Sequence, residues 1–596
     1  MTASAPLWRA TLQRFAPSER QRLFGLTVAI GGVCGLTAVA FHLTIGFIAR
    51  HAVDRAYAAT NHVGMMWVVA VPALGALVSG IVLYYFAPGA RGSGIPQVKV
   101  AYVMGGGRMR FRDAASKFVL AALQLGTGSS LGREGPTVQI CAGVASWMGR
   151  AARIAAQNIR LLLPVGAAAG VAAAFNAPLA AVTFTIEEII GTLDPTMLSG
   201  VVVAAAFAAV IEHGVLGADP VLGVPSGYRL YHPESLLFYG VLGVAAAVAS
   251  MAFNGALLGL RRWFSGWSAM PGWARPAIGG LCAGLLGLGA LVLVHERGID
   301  GGGYTTLASA LSGNVTFKAL LVLGAFKLAA TAFSYGSGGS GGLFAPSLFV
   351  GGMLGGLVGG LDMVAFGHPH AEVGAFALVG MGAVFAGVVR APITSILIIV
   401  EMTGGYELVL PLMLANVTAY GIARHFQPVP IYDALLIQDG IDLHRGRGDD
   451  LLDQVVLPPP ELAGVQRFAP DDGVVTLVAV SEAAGRQEVF PVVDANERVV
   501  GIITLADLAE LMGQPDLGDL VRAVDLMQAP TVLLADDSAS RALTLMHQTG
   551  LRQLPIVDED RHVVGLIDEV TIARVLLDAR RRASLRDRAA AGEGES

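Results

Sequence analysis

The sequence predicts an all-α multi-pass membrane domain with broken helices and inverted repeats, followed by a smaller α/β domain. Of its 596 residues, 54% are hydrophobic and only 14% are charged, whereas soluble globular chains usually carry about 25% charged residues. The run 161–186 has no charged side chain and is longer than the roughly 20 apolar residues needed to cross a bilayer. Further long apolar runs are 23–49, 65–87, 236–260, 278–294, 317–333 and 375–389.

The first 22 residues precede the membrane part and mix arginines with apolar side chains such as Trp8 and Phe15. This pattern predicts an amphipathic helix on the cytoplasmic membrane surface. No small-residue cleavage site follows, so a secretory signal is not predicted. The three cysteines, at positions 34, 141 and 282, lie in apolar stretches and predict neither a disulfide framework nor a metal site.

Clusters of Gly and Pro interrupt the apolar runs in both halves of the membrane part, at 92–96, 126–136, 176–178 and 336–346. Broken helices at membrane depth are tolerated only where protein or a water-filled cavity receives the freed backbone groups. In transporters such breaks point to the binding site. Their occurrence in both halves predicts an internal repeat across the membrane domain of residues 23–436.

The character of the chain changes after Tyr432. Residues 437–464 include three consecutive prolines and predict a linker. Beyond it, a strand–turn–strand–helix unit occurs twice, about 64 residues apart, with first strands at 490–494 and 554–558. We therefore predict two soluble α/β modules, residues 465–512 and 523–579, and a flexible tail over 580–596.

Three segments, Gly92–Pro96, Gly132–Pro136 and Gly342–Pro346, each place Gly and Pro at a helix start. A helix N-terminus has unpaired N–H donors and a partial positive charge of roughly half a unit. Several such ends aimed at one point would hold an anion without a full positive charge, which favours release as well as binding. Ser93 and Tyr432 offer hydroxyl donors to the same anion.

Glu134 lies between two glycines in a segment where burial of a carboxylate is expensive. Next to an anion site it would compete with the anion when ionised and swing away when protonated, which couples anion passage to a proton. The alternative is a structural carboxylate paired to Lys117 or Arg133.

Glu188 follows directly on the charge-free run, and an ionisable residue there is a functional candidate. It would pass protons between the cytoplasm and Glu134; the alternative is an interfacial charge that reaches water. The neighbouring Glu187 and the more distant Glu401 are interpreted as structural.

These segments resemble the CLC family of chloride channels and chloride/proton exchangers over about residues 20–436. The resemblance implies that Glu134 is the external gate, that Glu188 transfers protons internally, and that Lys117 and Arg133 give electrostatic support. It implies a homodimer with one pore per subunit. The anion-binding residues that it implies are Ser93, Gly94, Ile95, Gly342, Leu343, Phe344, Ala345 and Tyr432.

The two soluble modules resemble a tandem pair of CBS domains. In the first, Thr504 and Asp507 match a pattern that typically binds a nucleotide ribose, and an adenine nucleotide is the one cofactor that the resemblance suggests. The second module has Asp568 and Thr571 at these places, reversed in character. No cofactor is required by the transport hypothesis.

Three functions remain open from the sequence. The favoured one is chloride/proton antiport; the second is a passive, voltage- or pH-gated chloride channel; the third is a CBS-regulated transporter of another ion or a membrane enzyme. No metal site and no nucleic-acid partner are predicted. The expected partners are chloride, protons, the lipid bilayer and a second copy of the chain, in the cell (inner) membrane with the CBS modules in the cytoplasm.

Overall fold

The computed structural model describes residues 19–58, 62–191, 195–217, 222, 232–369, 372–443, 465–512, 521–575 and 577–578. Most of the predicted N-terminal segment and linker, and the whole predicted tail, lie outside these residues. The chain divides into two compact units, Met1–Leu443 and His444–Ser596, which are described separately.

Helices build the described part of the first unit. In chain order they are α1 (Glu19–His51), α2 (Val53–Ala58), α3 (His62–Tyr85), α4 (Ile95–Val103), α5 (Phe111–Gly126), α6 (Glu134–Ala151), α7 (Ala156–Phe175), α8 (Pro178–Phe184), α9 (Pro195–Leu216), α10 (Ser235–Gly266), α11 (Arg275–Val294), α12 (Tyr304–Leu311), α13 (Phe317–Gly336), α14 (Phe344–Phe366), α15 (Val373–Val389), α16 (Pro392–Thr403), α17 (Val409–Phe426) and α18 (Ile431–Gln438). A π-helical turn, Thr185–Ile190, follows α8 directly. In the part of the chain that the structure describes, nine helical stretches are long and apolar enough to cross a membrane, which confirms the predicted all-α membrane fold.

The internal repeat is visible where α5 leads into α6 and α13 leads into α14. Lys117, Gly132 and Pro136 recur 210 positions later as Lys327, Gly342 and Pro346. The equivalent glycines of the two halves exchange backbone hydrogen bonds: the Gly132 N–H donates to the Gly342 carbonyl at 2.8 Å, and the reverse bond is 2.7 Å. A reciprocal pair of this kind relates the two halves by a local two-fold axis.

The two repeated lysines hold equivalent loops. Lys117 Nζ donates to the carbonyls of Ala90 at 3.1 Å and Gly92 at 2.5 Å, just before α4. Lys327 Nζ donates to the carbonyls of Ile299 at 3.0 Å and Gly301 at 2.6 Å, just before α12. Both side chains are fully buried, and a buried ammonium needs such acceptors. Each lysine therefore fixes the irregular backbone that precedes a short helix.

Two glutamates cap each other's helices across the same axis. Glu401, in α16, accepts from the N–H groups of Leu179 at 3.0 Å and Ala180 at 2.7 Å at the start of α8. Glu187 accepts from the N–H groups of Ile393 at 3.2 Å and Thr394 at 2.9 Å at the start of α16. A carboxylate at a helix N-terminus satisfies unpaired donors and the helix dipole, which explains these two membrane acids structurally.

The second unit contains two small antiparallel pairs built alike. Its described elements are α19 (Val474–Ala483), β1 (Val489–Val493), β2 (Val499–Thr504), α20 (Leu505–Met512), α21 (Ala523–Leu526), β3 (Leu533–Leu534), α22 (Ala539–Thr549), β4 (Gln553–Val557) and β5 (Val563–Asp568). Val489 pairs with Thr504, and Gln553 pairs with Asp568. Residues 569–575 after β5 are helical, as α20 is after β2, so the predicted strand–turn–strand–helix repeat is present in both modules.

Candidate anion and proton site

The three glycine-rich segments meet through their backbones. The Gly92 N–H donates to the Gly339 carbonyl at 3.0 Å, and the Gly341 N–H donates to the Gly92 carbonyl at 3.1 Å. The reciprocal pair of hydrogen bonds between Gly132 and Gly342 joins the second segment to the third. The structure thus brings together the starts of α4, α6 and α14, as the anion-site hypothesis requires.

Close backbone approach explains why glycine occupies these positions. Gly94 has a φ of +102°, and a Cβ there would lie 2.7 Å from the Gly135 carbonyl oxygen. A Cβ on Gly135 would lie 2.5 Å from the Ser93 carbonyl oxygen. Any side chain at either position would separate α4 from α6. Gly135, the residue after Glu134, therefore lies directly against the Ser93 segment.

Two buried hydroxyls and three helix N-termini are the candidate anion ligands. No side-chain hydrogen bond caps α4, α6 or α14 at its N-terminus. Among the described residues, the Ser93 and Tyr432 hydroxyls have no hydrogen-bond partner, although both side chains are fully buried. A buried hydroxyl without a partner is unfavourable by roughly 1–3 kcal/mol. Unpaired hydroxyls next to uncapped helix starts are suited to an anion.

Glu134 is fully buried at the start of α6. Its Oε1 accepts a hydrogen bond from the Tyr304 hydroxyl, and its Oε2 has no partner in the described structure. A Cβ on Gly132 would lie 2.3 Å from Oε2 and 3.2 Å from the Ala345 amide nitrogen. The carboxylate therefore points toward the start of α14, and the alternative of a pair with Lys117 or Arg133 does not match these contacts.

The two basic candidates make different contacts. Lys117 binds the backbone before α4, as described above. Arg133 donates to the Ala174 carbonyl at 3.1 Å, and its guanidinium carbon lies 5.8 Å from the centre of the Tyr304 ring. Lys117 thus supports the site by holding its backbone, while Arg133 contributes charge beside Tyr304.

A cavity of about 440 Å³ opens beside Glu134. Arg133, Tyr304 and Arg297 contribute to its lining, together with Asp54 and Asp300. Arg297 forms ion pairs with Asp54 at 2.5 Å and Asp300 at 2.9 Å. The cavity therefore reaches the tyrosine that donates to Glu134.

An aromatic cluster surrounds the start of α14. The Phe344 ring lies 5.5, 5.1 and 4.7 Å from those of Phe175, Phe184 and Phe385, measured between centroids. Leu343 and Ala345 are also fully buried. These side chains fix the direction of α14 while its N–H groups remain free of side-chain caps.

Glu188 lies in the π-helical turn and is almost fully buried, with 6% exposure. Its Oε1 lies 2.8 Å from Lys99 Nζ, which also lies 2.5 Å from Asp433 Oδ1. Asp433 follows Tyr432 directly. Lys99 therefore links the predicted proton carrier to α18, the helix that carries the predicted anion ligand Tyr432. Glu188 is not a charge that simply reaches water.

Sequence reasoning missed four residues of this site: Lys99, Tyr304, Tyr335 and Asp433. A lysine within an apolar helix is a functional candidate on its own, so Lys99 could have been found. The Tyr335 hydroxyl accepts from the Ser93 N–H at 3.3 Å. No sequence pattern around Tyr304 or Tyr335 predicts these contacts, because the partners are far apart in the chain.

Comparisons with known proteins agree with this arrangement. The family model described as voltage gated chloride channel matches residues 74–424, and the CBS domain model matches residues 473–513 and 521–578. The H(+)/Cl(-) exchange transporters ClcA of Salmonella typhi and Salmonella typhimurium are each 34% identical over 428 residues, which is 69% of this chain and 87% of theirs.

Solved structures share the fold. A slow cyanobacterial Cl⁻/H⁺ antiporter has a TM-score of 0.64 and 27% identity, and the match covers 70% of this chain and 98% of that one. A eukaryotic CLC transporter has a TM-score of 0.61 and 20% identity over 92% of this chain and 97% of its own, which supports the fold alone. This chain therefore belongs to the CLC family of voltage-gated chloride channels and transporters, and it carries a C-terminal pair of CBS domains.

Proposed function

We propose that this membrane protein exchanges chloride for protons. The observation that carries the proposal is that Glu134 is fully buried at the start of α6, where the backbones of three glycine-rich segments meet, while the buried Ser93 and Tyr432 hydroxyls have no partner among the described residues. Support also comes from the relatives, which are named as H(+)/Cl(-) exchange transporters.

Chloride binds between the two hydroxyls and the helix starts in this proposal. Backbone N–H groups of Gly94, Ile95 and residues 343–345 add partial positive charge without an ammonium or guanidinium ligand. Such dipoles stabilise the halide in a site from which water is excluded, yet permit its release. The Gly342 N–H, although predicted to bind the anion, already donates to the Gly132 carbonyl at 2.7 Å. Lys117 keeps the Gly92 backbone in the required conformation.

Glu134 couples the anion to the proton. When ionised, its carboxylate competes with chloride for the start of α14. When protonated, it loses that attraction, releases the hydrogen bond from Tyr304 and moves toward the cavity. One site then holds either the carboxylate or the anion, so protonation of Glu134 and chloride movement alternate.

Glu188 supplies the proton from the other side. It is held by Lys99 beside the Tyr432 helix, away from the cavity that adjoins Tyr304. We place Glu188 and the CBS modules toward the cytoplasm of a homodimeric protein in the cell inner membrane. Protons then reach Glu134 from the cytoplasm through Glu188 without using the anion ligands.

A reversal-potential measurement tests the proposal. Purified protein in planar bilayers, with chloride and pH gradients imposed independently, should give a reversal potential that depends on both gradients. A reversal potential that depends on the chloride gradient but not on the pH gradient would contradict antiport and leave passive chloride conduction.

A passive chloride channel is the second candidate, and one contact favours it. Lys99 Nζ lies 2.8 Å from Glu188 Oε1, and a channel without proton coupling would keep this contact as a purely structural ion pair. The same reversal-potential measurement separates the two candidates.

The CBS pair is proposed to bind an adenine nucleotide near Thr504. A cavity of about 470 Å³ in the second unit is lined by Thr504, Leu505 and Arg552, among others. Asp507 Oδ2 already accepts from the Thr504 N–H at 2.8 Å and hydroxyl at 2.7 Å, so a ribose would have to replace the hydroxyl bond. Equilibrium binding of ATP to the full chain should be weakened in Thr504→Ala, and unchanged binding would remove Thr504 from the site.

A further inference from the structure

Two histidines and three carboxylates meet outside the transport site, where α10 begins and α14 ends. Their donor atoms form two overlapping groups of three that share one histidine, and the atoms in each group lie within 4.8 Å of one another. The residues come from the turn before α10, from the last turns of α14 and the segment after it, and from the start of α15. They are His232, Glu234, Asp362, His368 and Glu372.

In one of these groups, two donor-atom separations are close to those of zinc ligands. Glu234 Oε1 lies 3.5 Å from His232 Nδ1 and 3.6 Å from His368 Nε2. A tetrahedral zinc ion with bonds of about 2.0–2.2 Å separates its ligands by about 3.3–3.5 Å. We propose that His232, Glu234 and His368 bind a divalent transition-metal ion of the zinc class.

The remaining carboxylates orient the two imidazoles. His368 Nδ1 lies 2.8 Å from Asp362 Oδ2, which leaves Nε2 facing Glu234. His232 Nε2 lies 3.6 Å from Glu372 Oε1, which leaves Nδ1 facing Glu234. Each histidine thus has one nitrogen toward the shared carboxylate and the other toward an outer carboxylate. This is the arrangement in which outer-shell groups set the tautomer of metal-binding histidines.

Nitrogen donors decide the class of ion. Imidazole suits zinc, copper and nickel, whereas calcium and magnesium prefer oxygen ligands. The two rings are stacked 4.0 Å apart at 13°, and an ion must lie in the plane of both rings that bind it. The His232 side chain is 38% exposed, and its ring must rotate out of the stack for both histidines to bind the ion, whereas His368 is held by Asp362.

The bound ion would join the start of α10 to the end of α14. At a rise of about 1.5 Å per residue, this end of α14 lies about 33 Å from Phe344 at the anion site. None of the five residues contacts Glu134 or Glu188 in the described structure. The proposed metal site and the proposed antiport can therefore be tested independently of each other.

Calorimetric titration of the full-length protein tests the site. The protein is purified in detergent without a histidine tag, stripped with a chelator and titrated with ZnCl₂. One ion per chain should bind, and CaCl₂ should not. His232→Gln and His368→Gln should each weaken binding at least about 100-fold, and Glu372→Gln about 10–100-fold.

The matched control is His425→Gln, an exposed histidine in the last turn of α17, which should bind zinc as the unchanged chain does. Because His232 is partly exposed, its variant should keep the fold, and thermal unfolding without metal checks this. Cobalt(II) adds a spectroscopic readout, since tetrahedral coordination gives strong visible absorption that the histidine variants should lose. Zinc binding that is absent, equal in all variants or matched by calcium would overturn the proposal.

Discussion

Glu134 and Phe344 occupy equivalent positions in the two halves of the membrane unit, because each begins its helix two residues after the paired glycines Gly132 and Gly342. The acid of the first half is therefore an aromatic residue in the second. Around this pair the halves agree closely: Lys117 matches Lys327 in position and in bonding to loop carbonyls.

The same contrast holds at the other acids. Glu187 and Glu401 match and cap each other's helices, whereas Glu188 corresponds to Met402. Groups that stabilise the fold occur twice, and groups that would carry protons occur once. Because both predicted proton carriers lie in the first half, the proton path is asymmetric within a nearly symmetric scaffold.

The largest expected effect comes from replacing Glu134, the acid whose counterpart in the second half is Phe344. Glu134→Gln resembles the protonated gate and cannot cycle, so proton uptake driven by a chloride gradient in proteoliposomes should fall by about 100-fold or more. Chloride flux should persist. The matched control is Glu187→Gln, which removes a structural acid and should retain proton uptake. Proton transport by the Glu134 variant would exclude this residue from the coupling mechanism.

Lys99→Met tests the asymmetry at Glu188. It removes a cation that the second half of the membrane unit does not have, since Ser309 is the residue equivalent to Lys99. Glu188 and Asp433 would then be left as two nearby carboxylates, and ionised Glu188 would lose its partner. The pH midpoint of proton flux should move upward by about one unit or more.

Lys99→Arg should restore the midpoint, and Lys318→Met, at an exposed lysine of α13, serves as the control. A merely structural role for Lys99 would lower protein yield or stability but leave the pH profile in place.

The paired caps should respond alike. Glu187→Ala and Glu401→Ala each leave two helix N–H groups unpaired, so each should lower stability by about 1–2 kcal/mol. Thermal inactivation in detergent measures both. If only one of the two variants loses stability, the two contacts are equivalent in position but not in their contribution to stability.

The smallest effect is expected in the CBS unit, where both modules have an aspartate, Asp494 or Asp558, at the equivalent position. Backbone N–H groups, above all that of Arg498, hold the pKa of Asp494 below its usual range. The N–H of His562 does the same for the pKa of Asp558. A lowered folded-state pKa stabilises the turn above the unfolded value of about 3.9 and loses that effect as the pH falls through the folded value.

Asp494→Asn and Asp558→Asn should therefore loosen their turns near neutral pH and change little further on acidification. Hydrogen exchange of β1–β2 and β4–β5 in the full chain, corrected for the intrinsic rate, measures this. Exchange that stays equal to that of the unchanged chain would remove the carboxylate from the stability of the turn.

Much of the site could be predicted from local patterns. Glycine and proline at helix starts are recognisable because the requirement is local: backbone approach and a free N-terminus depend on neighbouring residues. Glu134 stands out because a carboxylate between glycines in an apolar segment is expensive unless it acts. The repeated modules of the soluble part were recognisable for the same local reason, since hydrophobic alternation and turn residues recur together.

The contacts that decide how the acids behave were not predictable in this way. Tyr304 binds Glu134 from the second half of the chain, and Lys99 joins Glu188 to Asp433 across three helices. The histidine and carboxylate cluster is likewise assembled from separate segments.

The sequence by itself determined the membrane fold, the interrupted helices and the residue types at the junction, because bilayer thickness and backbone sterics act on neighbouring residues. Only the tertiary structure decided which donor meets which acid. A hydrogen bond or ion pair needs two groups within about 3 Å, and for residues hundreds of positions apart only the packing of the whole unit sets that distance.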